Sequence, residues 1–214
     1  MTPALTPALG HLRAATAALH REAERHVRIL DPDATDATYV RYLARMYGVH
    51  AAIEDGFAAS GPLADAGFDA AARRKRDWLA RDLAHFGVVA AELPRCLALP
   101  ALPDLAAAVG AAYVIEGSTL GGAFIVARMR PRLGHLLGVA SAFLTGHGPA
   151  TGPMWRAFVA LAERALDDEP RRAAAAAAAR ATFAALIAWL DEPAVEPPHP
   201  HRGLERWRPR EAGA

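Results

Sequence analysis

The segment Tyr113–Gly122, with the sequence YVIEGSTLGG, most constrains how this chain can fold. It places Gly117, Gly121 and Gly122 between flanks that are rich in alanine, valine, isoleucine and leucine and free of proline, as in a helix. Each glycine inside a helix costs about 1 kcal/mol relative to alanine, so the three together cost roughly 2–3 kcal/mol. An alanine-rich chain could have used alanine instead. We therefore expect another helix or a flat ligand to approach this backbone closely.

Helical periodicity runs through the sequence, and no alternating strand pattern interrupts it. Turn and capping residues separate predicted helices at residues 7–30, 36–59, 69–86, 102–129, 138–144, 153–166 and 169–190. The 214 residues suffice for one buried core. The sequence therefore predicts a single compact all-α domain of seven or eight helices over residues 1–192. Residues 193–214 are rich in proline and arginine, and we expect them to be a flexible or surface-draped tail.

Composition excludes several classes of protein. The formal net charge of +1 gives no basic excess that could drive binding to nucleic acid. Cys96 is the only cysteine, so no intrachain disulfide can form and a reducing compartment is expected. The N-terminus lacks the pattern of a secretory signal, and the alanine run Ala173–Ala179 is too short to span a membrane. We expect a soluble cytoplasmic protein with no nucleic-acid or membrane partner.

His20 lies on the apolar stripe of the first predicted helix, one turn after Thr16. A buried polar group without a partner costs about 1–3 kcal/mol, so an imidazole that faces the core must be satisfied there. One interpretation is a histidine at the edge of the core that bonds to a neighbouring helix. The other is an axial ligand to a heme iron. Glu24, one turn further, either faces the same cavity or is an ordinary surface carboxylate.

Two motifs resemble those of a known family. The segment Leu12–Glu24, LRAATAALHREAE, resembles the first helix of heme oxygenases, which carries the proximal histidine in an L-x-x-x-T-x-x-x-H-x-x-x-E pattern. The segment Gly117–Gly122, GSTLGG, resembles their glycine-rich distal helix, usually G-D-x-S-G-G. The order of the motifs, the chain length and the helical pattern also fit, over about residues 9–190. The resemblance is strongest to the bacterial type associated with bacteriophytochromes.

The resemblance implies roles for residues on both sides of a heme. His20 would be the ligand of the iron, with Glu24 as a polar neighbour on the same helix. Gly117 and Gly121 would lie over the distal face, where the missing side chains let the backbone approach closely. Gly122 would also contact the heme. The resemblance therefore implies that heme, a flat ligand, is what approaches the backbone at these glycines.

Other positions match the family at the border of the heme. Arg13 and Arg156 would pair with heme propionates, since a guanidinium can bind a carboxylate with two hydrogen bonds. Both arginines could equally lie on an ordinary solvated helix face. Tyr113 would line the heme, and Phe183 would form an aromatic wall, although a core phenylalanine explains the latter just as well.

Ser118 departs from the family pattern, because the best-known members have an aspartate there. In those proteins the carboxylate organises the waters that deliver a proton on the distal side. A serine hydroxyl can donate and accept hydrogen bonds but carries no charge. We therefore expect a catalytic water network of different construction, with Glu116, Thr119 or an arginine contributing.

The resemblance implies oxidative cleavage of heme to biliverdin, carbon monoxide and iron. Heme would be both cofactor and substrate, O2 the oxidant, and the electrons would come from outside. The external source fits the absence of a G-x-G-x-x-G dinucleotide motif after a strand, and the resemblance implies a ferredoxin or a reductase as the donor. A biliverdin-binding phytochrome is a further expected partner.

Four other functions stay open at this point. The Ser118 departure makes a heme carrier or sensor credible. A thiaminase-like hydrolase could use Cys96 as nucleophile, although nothing in the sequence marks an activated thiolate. A carboxylate-bridged di-iron site lacks Glu-x-x-His pairs, and His50 with Glu54 is the nearest approach. In a purely structural helical protein, the glycines would serve contacts between helices.

Overall fold

The computed structural model describes residues 6–192. Over this part of the chain there are nine α-helices and no strand, and short 3-10 turns connect some of them. The helices are α1 Pro7–Arg25, α2 Asp36–Ala59, α3 Gly61–Asp65, α4 Arg76–His85, α5 Leu105–Leu120, α6 Gly122–Leu133, α7 Ala142–Thr145, α8 Thr151–Ala165 and α9 Glu169–Asp191. The prediction of a single all-α domain is confirmed. The predicted tail, residues 193–214, lies outside the described residues.

Several helix boundaries differ from those predicted. The predicted helix 69–86 begins only at Arg76, because the Glu54 carboxylate on α2 accepts the backbone N–H groups of Lys75 and Arg76. This buried anion holds the start of α4, as anions do at helix N-termini. The first helix ends at Arg25 rather than residue 30. Helix α3 was missed, since residues 60–62 were interpreted only as a turn.

Helix α9 packs against α5 and α1 at the centre of the fold. At the α5–α9 crossing a Cβ at Gly110 would collide with the backbone carbonyl of Ala175, so only glycine fits there. The neighbours of Gly110 on α5 are small and buried, which lets the two backbones approach closely. Packing thus explains the buried alanines of the run on α9, which are Ala175, Ala176 and Ala179.

The same helix is the part of the described chain that bears on the expectation of no membrane span. Helix α9, Glu169–Asp191, has a mean hydropathy of 1.6 over an 18-residue window, so its length and composition would allow it to cross a membrane. In this structure it lies between α1 and α5, with Ala175, Ala179 and Phe183 buried among their side chains. Its apolar composition therefore fits a core helix.

Candidate functional site

The proximal residues predicted from the first motif come together between α1 and α9. The His20 side chain is 57% exposed, and its Nδ1 lies 3.4 Å from Oε1 of Glu24. The ring of Phe183, on α9, meets the imidazole edge-on with 5.9 Å between the ring centroids. The alternative of a core histidine bonded to a neighbouring helix is wrong, because the ring is exposed and its polar partner is on its own helix.

This geometry leaves the second ring nitrogen of His20 available. With Nδ1 directed at Glu24, Nε2 has no hydrogen-bond partner among residues 6–192. A carboxylate on one imidazole nitrogen fixes the tautomer and orients the other nitrogen toward a metal. The Glu24 carboxylate lies beside Nδ1, so Nε2 is the nitrogen that remains for a ligand.

The three glycines of the second motif have different surroundings. A Cβ at Gly117 would meet only the Trp155 ring, at 3.9 Å, and one at Gly121 would meet only the carbonyl of Ser118, at 3.4 Å. A Cβ at Gly122 would collide with the backbone carbonyl of Leu144 on α7. Gly122 is buried there, so helix packing accounts for the choice of glycine, and its contact with heme stays a prediction. Packing does not require glycine at the first two positions.

Side chains bond to one backbone carbonyl of α5 about one turn before the break at Gly121. The Ile115 carbonyl accepts hydrogen bonds from Ser118 Oγ at 2.8 Å and from Thr119 Oγ1 at 3.4 Å. Such bonds from serine or threonine to the preceding turn bend helices. Helix α5 ends at Leu120, and the following segment Gly122–Leu136 departs at 43°. Ser118 is exposed, and its hydroxyl proton is already used within its own helix.

A buried ion cluster, formed by Glu116 with Arg73 and Lys75, lies next to this bend. Glu116 is 4% exposed, and its two carboxylate oxygens contact Arg73 and Lys75. Lys75 Nζ lies 3.2 Å from Glu116 Oε1 and 3.0 Å from the Ile115 carbonyl. Burial lowers the pKa of Lys75, while the Glu116 charge opposes that shift. Glu116 was expected to help the distal water network, but its carboxylate is occupied by these two cations.

A second buried pair supports the cluster from α2. His50 Nδ1 lies 3.0 Å from Glu54 Oε1. Complete burial lowers the pKa of His50 despite that hydrogen bond. Burial acts to raise the pKa of Glu54, but His50 and the N–H groups of Lys75 and Arg76 together lower it. The favoured state is a neutral imidazole that donates Nδ1–H to an ionised Glu54. Sequence reasoning considered this pair only for a di-iron site, and no group of three metal-ligating side chains occurs in the described part of the chain.

The remaining predicted residues lie on α1, α5 and α8. Arg13 and Arg156 are exposed, and neither makes an ion pair within residues 6–192. Tyr113 is half-buried, with its ring centroid 6.3 Å from that of Trp155. Trp155 is the residue that sequence reasoning missed: it faces Gly117 across α5 and α8. Its position directly before Arg156 was the available signal.

Cys96 and the groove beside it do not belong to this site. The thiol is buried, and burial raises its pKa, which is the opposite of an activated nucleophile. It borders a groove of about 410 Å³ between α2 and the segment 96–102. None of the residues predicted to bind heme lines this groove. The geometry gives no support to the hydrolase alternative.

Comparison with known proteins agrees with the geometry. The family model for heme oxygenase matches residues 6–192. Comparison with curated proteins gives no match. Among solved structures, the NO- and CO-bound heme oxygenase from Neisseria meningitidis superposes with a TM-score of 0.70 at 27% identity, over 87% of this chain and 91% of that one. The chain therefore belongs to the heme oxygenase family.

Proposed function

We propose that this protein is a heme oxygenase that binds heme between α1 and the Gly117–Gly121 segment and opens the ring to biliverdin, carbon monoxide and iron. When bound, heme supplies the redox chemistry as both cofactor and substrate, and the protein binds and orients it. One observation carries the proposal. The chain has an exposed imidazole beside Glu24, and it also has two glycines at a helix bend, Gly117 and Gly121, that helix packing does not require.

The chemistry of the residues present fits a heme. An imidazole nitrogen without a partner is the ligand that a heme iron takes from a single histidine. Gly117 and Gly121 leave bare backbone, against which a flat ring can lie. The propionates need cations, and Arg13 and Arg156 are exposed and unpaired within the described residues. The iron, the flat ring and the propionates of heme thus each have a suitable group on the protein.

Each of these residues has a distinct task in the proposal. Glu24 holds the tautomer and direction of His20, and the edge of Phe183 limits rotation of the ring. Arg13 and Arg156 would bind the propionates and so orient a bound heme. The Ser118 oxygen, after donating to Ile115, can still accept a hydrogen bond from a distal water.

A carrier or sensor that does not degrade heme is the second candidate, and the structure offers a reason for it. The distal segment has no free carboxylate, since Ser118 replaces aspartate and Glu116 is bound by Arg73 and Lys75. A proton must then reach the distal side through water bound to neutral groups. Without such a route, heme would bind and remain intact.

Hemin titration followed by reductant distinguishes the two functions. We expect a one-to-one complex with a Soret band, which decays under air to a bilin spectrum when ascorbate or a ferredoxin with its reductase is added. Catalase in the assay excludes heme breakdown by free peroxide, and carbon monoxide release is measured with myoglobin. A Soret band that persists through reduction and re-oxidation identifies a carrier.

The electron donor and the fate of the product are parts of the same proposal. We place electron delivery on a separate ferredoxin or reductase in the cytoplasm. The association with bacteriophytochromes stays a prediction, and transfer of the product to an apophytochrome, followed by its red absorbance, tests it.

A further inference from the structure

Lys75 is an unusual residue in this chain. It is the only lysine in the sequence, yet its side chain is 2% exposed. A buried ammonium loses its hydration and is retained only where partners compensate for that loss. Its two partners, the carbonyl of Ile115 and the carboxylate of Glu116, are consecutive residues of α5 just before Gly117.

The bond to Ile115 involves a carbonyl that lies within α5, about one turn before the break at Gly121. Ser118 Oγ and Thr119 Oγ1 donate to the same oxygen to which Lys75 Nζ donates at 3.0 Å. Donors that compete with the helical N–H for one carbonyl weaken the hydrogen bonding of that turn and favour a bend close to it. The ammonium is the only one of the three donors that comes from another element.

The backbone of Lys75 is itself held in place by buried residues of α2. The backbone N–H of Lys75 donates to Glu54 Oε1 at 2.8 Å, and Glu54 is held in turn by the fully buried His50. Lys75 therefore ties α5 to both α2 and the start of α4. Arg73 neutralises Glu116 independently, so loss of the ammonium would not leave that carboxylate unpaired.

We propose that Lys75 is a positioning residue: its contacts with Ile115 and Glu116 fix the bend that places the Gly117–Gly121 backbone, and this placement decides which meso carbon of heme is oxidised. The inference rests on the proposed function. Glycine backbone is intrinsically permissive, and no side chain at Gly117 or Gly121 packs the segment in place. The segment is therefore located from its two ends: Gly122 packs against Leu144 after it, and Lys75 binds Ile115 and Glu116 before it.

The test compares Lys75→Met with Arg74→Met. Methionine keeps the length and apolar stem of lysine but removes the charge and the donors. Arg74 is the adjacent residue, exposed and 3.9 Å from its partner Asp77, so its replacement controls for a lost charge at this point of the chain. Lys75→Arg serves as the conservative variant, because it keeps the charge with different geometry.

The first readout uses the apoprotein and needs no heme. In Lys75→Met we expect hydrogen exchange of the amides of residues 117–122 to rise about tenfold, as for loss of a hydrogen bond to a charged group. Exchange in the middle of α9 should stay unchanged, and Arg74→Met should match the wild type. Lys75→Arg, which keeps the charge with a different geometry, should raise exchange of the same amides by a smaller factor. Uniformly faster exchange in both segments would mean that Lys75 only stabilises the fold, and would overturn the proposal.

The second readout uses the hemin complex. We expect Lys75→Met to shift the C–O stretch of the ferrous CO complex and to change the ratio of biliverdin isomers at least severalfold. An unshifted stretch with the wild-type isomer ratio overturns the proposal. If Lys75→Met does not fold, Lys75→Arg decides by the same two measurements, since a planar guanidinium must displace the Ile115 carbonyl. A wild type that binds hemin but gives no bilin refutes the proposed function instead, and leaves the exchange and C–O results to judge the positioning role.

Discussion

Replacing Gly117 with alanine should stabilise the apoprotein and impair the heme complex. Gly117 lies within α5, where alanine is favoured over glycine by about 1 kcal/mol. The new Cβ would meet the Trp155 ring at 3.9 Å, an ordinary contact without strain. For a domain of this size, 1 kcal/mol corresponds to a rise of about 2–4 °C in Tm. The same methyl group would occupy space next to the proposed heme face.

The other glycines of α5 and α6 give matched controls. A Cβ at Gly110 would collide with the Ala175 carbonyl, and one at Gly122 with the Leu144 carbonyl. Both are backbone atoms that cannot move aside, and overpacking of this kind costs about 1–3 kcal/mol, or more where the backbone must shift. Gly110→Ala and Gly122→Ala should therefore lower the Tm of the apoprotein. All three variants add one methyl group to a glycine, but the change in Tm should be positive at Gly117 and negative at Gly110 and Gly122.

The assay is thermal unfolding of each apoprotein, followed by hemin titration and turnover. We expect Gly117→Ala to raise Tm, weaken hemin binding or slow turnover, and shift the C–O stretch of the CO complex. Gly110→Ala, far from the distal motif along α5, should lower Tm while leaving that stretch unchanged in the folded fraction. If Gly117→Ala lowers Tm as Gly110→Ala does, the glycine is a packing residue. If it raises Tm with normal binding, turnover and C–O stretch, the distal face lies elsewhere.

Three further predictions concern charge and ligation. His20→Ala should lose the wild-type Soret position and nearly all turnover, and added imidazole should restore part of the spectrum; unchanged turnover would remove His20 as the ligand. Arg13→Ala and Arg156→Ala should each weaken hemin binding by about threefold to tenfold, with no effect on hemin dimethyl ester, which lacks the carboxylates; equal losses with the ester would exclude propionate pairing. The apoprotein should lose stability as pH falls from 7.5 to 5. The pKa of His50 is lower in the folded state than its ordinary value of 6.5. As pH falls through 6.5, His50 therefore takes up its proton in the unfolded chain first, which favours unfolding. The lowered pKa of Glu54 extends this loss to still lower pH, below its ordinary 4.5, and His50→Gln should flatten the Tm profile between pH 7 and 5; an unchanged slope would contradict this assignment.

The sequence predicted the parts of the site that depend on spacing along one helix. His20 and Glu24 are one turn apart, so their contact at 3.4 Å follows from helical geometry alone. The glycine segment was also identified from its composition, because glycine in an alanine-rich helix is costly. Phe183 required the family pattern, since nothing local indicates that α9 would bring its ring beside His20.

What the sequence could not predict depends on contacts between distant segments. Gly117 and Gly122 look alike in the motif, and only the position of Leu144 on α7 separates an open glycine from a packed one. The start of α4 was misplaced because a carboxylate on α2, Glu54, caps it. Lys75 gave no signal beyond its rarity, because its partners lie some forty residues further along the chain, at Ile115 and Glu116.

Ser118 and Lys75 are parts of one arrangement. Both donate to the Ile115 carbonyl, at 2.8 and 3.0 Å, so the serine hydroxyl and the ammonium cannot be far apart. An aspartate at position 118, as in the best-known heme oxygenases, would bring a second carboxylate near the ammonium that Glu116 already binds. It would also remove one of the three donors that hold the bend, since a carboxylate only accepts. Ser118 thus leaves the distal side without a carboxylate, and Lys75 places a buried cation at the same Ile115 carbonyl. Replacing Ser118 with aspartate while Lys75 is kept should therefore disturb the backbone that both residues help to place.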